Sequence, residues 1–465
     1  MVIQVREKPK TYLHEGTYIS SQAVQGKALI HPGKWDKIEP GTLVVLQSAG
    51  CSERADITWF SLLEQAAGVI LQQDTPQGHL HQMLKEAGKP TLCGYRDADK
   101  ELKDGDKLTM YPTRNSRGAV SAENPEFFEA EEPRPELPKI KTLVYPVCSH
   151  EKRVAALRHL PISGIGLMRS EFLNNYTFGV HPKAVIAYAK GCLRDPDTAE
   201  LMDTVFHKKY DCRSSDPRDF YVDTVSDRIM RISDSLPEHS RRINYRLVDL
   251  RTDDSRALIG GSEFEDHEAN PMMGCRGTMK LISEDYRDAF ELECEVVKAA
   301  LNKGADLHIL TPLCRTPEEG RKLVTLVRNN CVEAEMGMMV EVPANAFYSS
   351  EFADIFDFFL TGPMDLTQAM FMYDREAETA ARYTDPDNKA TRGIVATFLS
   401  RIKDREKDVF IGEFEVLKVL REYRNIAGRN RIHLVSLPDR LEEVIPKIKS
   451  FEAGLSIDEI TERVL

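Results

Sequence analysis

DLHILTPL (306–313) and MGMMVEVP (336–343) are apolar strand-like runs with a helical segment between them, and the fold is read outward from this pair. The same alternation precedes it in TLVYPVC (142–148), GIGLM (164–168) and NYRLVDL (244–250), and follows it in DFFLTG (357–362), DVFIG (408–412) and RIHLVS (431–436). Eight such units predict a closed (β/α)8 TIM barrel whose active site lies on loops at the C-terminal strand ends. An open doubly wound sheet gives the same alternation, and periodicity leaves both arrangements open. The polar residues favour the barrel. Arg169, Arg246 with Asp249, Glu341, Asp365 and Glu413 each stand at or just beyond the end of an apolar run, where a barrel would make them converge.

Upstream, residues 17–115 alternate short β-type runs (KALI, TLVVLQ, GVILQ, PTLCG) with a helical stretch at Trp59–Ala67 and another after His79. This predicts a small α/β domain over 1–115. Residues 121–139 read SAENPEFFEAEEPRPELPK, and their acidic groups and four prolines predict a stiff extended linker over 116–140. The barrel domain would then occupy 141–465.

Composition excludes several classes of function. Hydrophobic residues make up 42% and charged residues 29%, which suits a folded globular chain. The 62 Lys plus Arg against 74 Asp plus Glu leave a net charge of -12 without a basic cluster, so no nucleic-acid partner is expected. Apolar runs such as Ala66–Leu71 and Ala184–Ala189 fall far short of the ~20 residues of a membrane span. The N-terminus lacks the apolar core of a secretory signal, and the nine cysteines include no CxxC pair, which predicts a cytoplasmic protein whose thiols are small buried hydrophobes.

Five segments carry a resemblance. GIGLMRSEFL (164–173), NPMMGCRG (270–277), MMVEVPANA (338–346) and GPMDLTQ (362–368) followed by YDRE closely resemble the barrel of the phosphoenolpyruvate-utilising family. That family includes pyruvate phosphate dikinase, phosphoenolpyruvate synthase and enzyme I of the sugar phosphotransferase system. AAGVILQQDTPQGHLHQMLKEAGKPTLCG (66–94) resembles its swivelling phosphohistidine domain, in which a Thr-Ser-His triplet precedes a helix. His79 falls on the phosphorylated histidine, with Gln77-Gly78 in place of Thr-Ser, and His81 is its one close rival. An imidazole suits transient phosphoryl carriage, because one ring nitrogen is nucleophilic near neutral pH while the other can be oriented by a hydrogen bond.

The resemblance implies that Arg169, Arg246 and Arg276 bind the transferred phosphoryl group, that Arg375 contacts substrate, and that Glu341 and Asp365 hold Mg2+, with Mn2+ also suited. Guanidinium forks match phosphate oxygens bidentately and stay charged. Two hard carboxylates leave positions open for phosphate oxygens and water. Surface ion pairing is the ordinary fate of any one of these charges, but five of the six in family order point to a site.

Two departures bear on the acceptor. The family's Gly-Thr-Asn-Asp is Gly362-Pro363-Met364-Asp365 here, and its Cys-Gly-Glu is Ile411-Gly412-Glu413. Isoleucine cannot supply the proton that the family cysteine exchanges with pyruvate. Retained phosphate and metal ligands with an apolar acceptor side imply phenol, packed near Met364 and Ile411, as the acceptor, giving phenylphosphate. The chain is similar in this to the phosphohistidine-plus-barrel subunit of phenylphosphate synthases of anaerobic phenol breakdown. A pyruvate enzyme using Glu413 or water as acid, and a non-catalytic regulatory relative, are the alternatives. Lacking a GxxxxGK loop, the chain is expected to need an ATP-binding partner subunit of nucleotide-grasp type and to form homo- or hetero-oligomers.

Overall fold

A computed structural model describes residues 2–5, 9, 11–20, 22–31, 38–46, 63, 65–72, 79–113, 117–130, 137–209, 216–374, 380, 383, 385–412 and 416–454. The chain divides into two compact units. One comprises Met1–Pro135 with Asn175–Val180 and Arg375–Arg382, and the other Glu136–Asn174, His181–Asp374 and Tyr383–Leu465.

In the first unit seven strands close a small barrel, in the order His14–Tyr18, Thr91–Cys93, Gly68–Leu71, Thr42–Leu46, Val24–Ile30, Lys107–Pro112 and Arg117–Ser121. Thr42–Leu46 and Gly68–Leu71 are buried along their whole length and pair in parallel with their neighbours, as continuous apolar runs do when both faces are covered. The helix His79–Glu86 leads into Thr91–Cys93, with Met83 and Leu84 fully buried. The helix expected over Trp59–Ala67 falls largely outside the described residues.

The linker expectation is corrected here. Arg117–Ser121 belongs to the small barrel, and Phe127–Ala130 pairs antiparallel with Val2–Val5, Val2 opposite Ala130. The segment is therefore structured through residue 130. Its strands are short, and Phe127–Ala130 finds its partner only at Val2–Val5, at the other end of the unit, so local composition alone reads as coil.

The second unit is a ring of eight parallel strands: β1 (Val144–Pro146), β2 (Ile165–Arg169), β3 (Ile243–Arg246), β4 (Leu307–Thr311), β5 (Met336–Val340), β6 (Phe358–Thr361), β7 (Asp408–Gly412) and β8 (Arg431–Ser436). Each strand from β2 to β8 pairs with the next, and β8 pairs with β1. The β1–β2 seam is thinner: one bridge, Val147 to Leu167, and the Cys148 N–H to the Leu167 carbonyl at 3.0 Å. Sequential neighbours around a returning ring select the barrel over the doubly wound sheet. Near the seam β2 shifts register between Ile165 and Met168, and a Cβ on Gly166 would come within 2.7 Å of Val435. Only glycine fits that close approach.

Leu167, Leu310, Met339, Leu360, Phe410 and Val435 pack together in the barrel interior. Side chains alternate along a strand, so this cluster fixes the phase of each. Two residues onward, Arg169, Glu341, Gly362 and Gly412 face the same interior at its C-terminal end. Arg246 is registered beside both Arg169 and Leu310 and shares their phase.

No helix among the described residues is long and apolar enough to cross a membrane. Cys93, Cys148, Cys294 and Cys314 are buried as expected, whereas Cys192 and Cys331 are exposed and Cys275 is half-buried.

Candidate active site

Charged groups meet at the C-terminal mouth of the barrel because four elements each end on one. β3 ends on Arg246, which is 7% exposed and forms an ion pair with Glu171, the residue just after the β2 turn. Its other side lies 3.5 Å from Asp249. Arg276, 2% exposed, reaches the same Asp249 through two N–H groups, at 3.1 and 2.6 Å, and has Asp365 at 3.7 Å. Bidentate pairing fixes the plane of the Arg276 guanidinium and leaves its Nη1 edge toward Asp365 and the Met272 sulfur at 4.0 Å.

Asp365 stands in the first turn of the helix Pro363–Phe371, where Pro363 takes the first position at no hydrogen-bond cost and the N-terminal dipole favours a carboxylate. Glu341 directly follows β5 and is fully buried. Its backbone N–H and that of Val342 donate to the Asn345 side-chain oxygen at 3.1 and 3.0 Å, while the Asn345 amide donates to the Cys314 carbonyl at 2.8 Å. Asn345 thereby pins the loop after β5 to the loop after β4. The Leu313 N–H donates to Glu341 Oε1 at 2.7 Å, and Oε2 is buried without a hydrogen-bond partner. A Cβ on Gly362 would stand 2.6 Å from that Oε2, so glycine keeps the space beside the open oxygen clear.

Burial, and then repulsion from Asp365 and Asp249, hold the Glu341 carboxyl far above the usual carboxylate range despite the Arg246 charge. Two guanidinium groups, Arg246 and Arg276, therefore face four carboxyls, Glu171, Asp249, Glu341 and Asp365. The set has an excess of negative charge and one orphaned oxygen, and both favour an added cation. Glu341 and Asp365 suit a hard divalent ion that takes its other ligands from phosphate oxygens and water. Among the described residues no group of three or more His, Cys, Asp or Glu is arranged to hold a metal by itself.

Arg169 ends β2 in the interior phase, its N–H on the Ser149 hydroxyl at 3.0 Å and its guanidinium 5.0 Å over the Phe172 ring. Met364 is half-buried beside Asp365 in the same helix. Arg375 and Glu413 lie outside the described residues. His79 is the first residue of the helix His79–Glu86, described for its backbone only. His81 is 6% exposed, with its Nδ1 3.6 Å from the Cys93 sulfur.

One expectation is corrected. Ile411 is 2% exposed and registers with Leu434, whereas its neighbour Phe410 packs against His433 and the interior cluster. Alternation therefore turns Ile411 away from the barrel interior, toward the helical layer. It does not line the acceptor side, and Gly412 holds the interior phase at that strand end.

Glu171, Asp249 and Asn345 are the functional-site residues to which sequence reasoning assigned no role. Glu171 and Asn345 lie within GIGLMRSEFL and MMVEVPANA, so the motifs held a signal, but what each would touch depends on residues 75 and 31 positions away.

Comparison with known proteins agrees with this geometry. The family profile described as "PEP-utilising enzyme, PEP-binding domain" matches residues 129–414, and that described as "PEP-utilising enzyme, mobile domain" matches 51–114, PEP being phosphoenolpyruvate. The phosphoenolpyruvate synthase of Escherichia coli is 29% identical over 385 residues, covering 81% of this chain and 46% of that protein. That of Neisseria meningitidis is 26% identical over 411 residues, covering 86% and 50%. That of Pseudomonas aeruginosa is 29% identical over 399 residues, covering 84% and 48%. The chain thus spans about half the length of the relatives it matches.

Proposed function

Since this chain belongs to the phosphoenolpyruvate-utilising enzyme family, we propose that it is a phosphotransferase that carries a phosphoryl group on His79 and passes it, at the barrel mouth, to the hydroxyl of a small acceptor. The observation that carries the reading is the joint arrangement of Arg246, Arg276, Asp365 and the open oxygen of Glu341 at one strand-end surface. His81 is buried with its ring beside the Cys93 sulfur, which supports His79 as the carrier.

Arg276 and Arg246 bind the phosphoryl oxygens and neutralise charge that spreads over them during transfer. Asp249 orients both guanidinium groups, and Glu171 holds Arg246 from the side. Glu341 and Asp365 hold Mg2+, which supplies Lewis-acid charge at the acceptor oxygen and the phosphoryl group when bound. Arg169 and Arg375 complete the anion-binding set. The phosphoryl group reaches His79 from an ATP-binding partner subunit of nucleotide-grasp type.

Phenol is the acceptor we propose, because Met364 replaces the family asparagine and no cysteine stands at the end of β7, where the family carries its proton-exchanging one. With Ile411 turned outward, Met364 bears the ring contact. Cys314 does not substitute as a proton donor to pyruvate, since its sulfur points to the Thr316 carbonyl at 3.5 Å and burial pushes its thiol up to about 12. Pyruvate is the second reading, favoured by the phosphoenolpyruvate synthases among the relatives.

Phosphoryl transfer is reversible, so the single chain can be loaded from its own products. Incubation with Mg2+ and labelled phenylphosphate should deposit an acid-labile, base-stable label, with labelled phosphoenolpyruvate inactive. Labelling by phosphoenolpyruvate alone would replace phenol by pyruvate, and labelling by neither would end the phosphotransferase reading.

A further inference from the structure

Behind the mouth, on the outer side of β3, a cavity opens between Tyr245 of that strand and the helices Pro217–Asp234 and Arg287–Asn302. Two of its lining groups are carboxyls, Glu171 and Glu293, and among the described residues no Lys, Arg or His lines it. Glu171 gives one oxygen to Arg246, and its Oε2 is buried without a hydrogen-bond partner. Glu293 accepts the Val248 N–H at 3.0 and 3.3 Å and faces the Tyr245 hydroxyl at 3.4 Å. Val248 lies between Arg246 and Asp249, so Glu293 grips from behind the segment that carries the phosphoryl-binding guanidinium and its carboxylate.

We propose that Glu293 is a positioning residue for Arg246: a neutral carboxylic acid that braces residues 246–249 and leaves the charge of Glu171 to the guanidinium. This deepens the phosphotransferase reading and rests on it for the role of Arg246. Two carboxylates around a cavity without a cation repel, and only one of the pair has a counter-ion. Glu171 has Arg246, whereas Glu293 has only neutral donors. Burial, reinforced by the Glu171 charge, pushes Glu293 up to about 7 against its hydrogen bonds from Val248 and Tyr245. The other titratable groups around it are Tyr221 from the helix Pro217–Asp234, Tyr286 at the head of its own helix, and Cys294 beside it. Burial raises all three, and they stay neutral through the same range. Loss of the Glu293 proton to the cavity's solvent then sets an unpaired anion against Glu171 and the backbone of residues 246–249.

The test is the pH profile of phosphoryl discharge from the labelled chain to its acceptor, in wild type, Glu293→Gln and Glu293→Leu. Wild-type discharge should fall about ten-fold as pH rises from about 6 to about 8, Glu293→Gln should flatten that fall, and Glu293→Leu should be slow throughout. Infrared spectra supply a readout independent of turnover: near pH 6 the wild-type minus Glu293→Gln difference should hold a protonated-carboxyl stretch. A Glu293→Gln profile superimposed on wild type, or no such band, overturns the proposal. A wild-type chain that shows the band and transfers nothing to any acceptor overturns the phosphotransferase reading, while the neutral Glu293 stands.

Discussion

The two ends of the barrel both carry charged side chains and dispose of them in opposite ways. At the N-terminal end, Asp408 takes Arg431 through two N–H groups at 2.6 and 2.7 Å and the His433 ring at 2.7 Å. Arg242 lies 3.4 Å from Glu335 and covers the rings of Phe358 and Phe410 at 4.7 and 5.1 Å, while His308 stands between Glu335 and Asp306. Asp408, Glu335 and Asp306 each have a basic partner there. At the C-terminal end carboxyls outnumber guanidinium groups, and Glu341 keeps an oxygen without a partner. Charge matched internally serves stability, and charge left over awaits a ligand.

The comparison breaks most visibly if mouth and base respond alike to substitution. Arg276→Lys keeps the charge but loses the fork to Asp249, and Glu341→Gln removes an anionic oxygen from the open position. Each should lower phosphoryl transfer by about 10³-fold or more, with the folded chain retained, as read by single-turnover label discharge and circular dichroism. Asp408→Asn should do the reverse. It leaves transfer rates alone and costs about 1 kcal/mol of stability, measured by denaturant unfolding at neutral pH.

The acid limb sharpens the same contrast. Burial raises the Asp408 carboxyl, but hydrogen bonds and charge from His433 and Arg431 outweigh it and hold the group well below the usual carboxylate range. Its contribution is therefore present above the unfolded carboxylate value of about 4 and is lost as pH falls through the depressed folded value. Asp408→Asn should flatten that part of the stability curve. Glu293 runs the other way, since its folded value is raised. The stability linked to its proton is present below the unfolded value and lost as pH rises through about 7. Glu293→Gln should thus gain on wild type at alkaline pH by about 1 kcal/mol, in thermal melts across pH.

Smaller effects concern the acceptor. Met364→Asn restores the family's polar side chain beside Asp365 and should shift preference from phenol toward pyruvate by about ten-fold, read by competition between the two for the label. Ile411→Cys faces the helical layer and should change that ratio by less than about two-fold. A large effect at 411 with none at 364 would reverse the assignment of the two positions.

Sequence carried much of this. All eight barrel strands were legible as apolar runs, and the arginines and carboxylates of the mouth were legible because strand ends and motif positions coincide. Ile411 was misread because a buried run such as VFI hides its alternation, whose phase appears only when Phe410 is seen against His433 and the interior. The strand Phe127–Ala130 was missed because its partner, Val2–Val5, lies at the far end of the unit, and Arg117–Ser121, a hairpin partner of Lys107–Pro112, was missed because its short run RGAVS carries little apolar signal. Glu171 and Glu293 escaped notice for a related reason: a buried acid announces its role through the groups it faces, and those come from β3 and the segment after it.

The most direct test of the central claim follows the label from donor to residue. Wild type, His79→Ala, His81→Ala and Glu341→Gln are incubated with Mg2+ and labelled phenylphosphate, and the modified peptide is identified by mass spectrometry under basic conditions. The account predicts phosphohistidine at position 79 in wild type and His81→Ala, none in His79→Ala, and slow loading in Glu341→Gln. Label retained by His79→Ala, or loading untouched by Glu341→Gln, would contradict it.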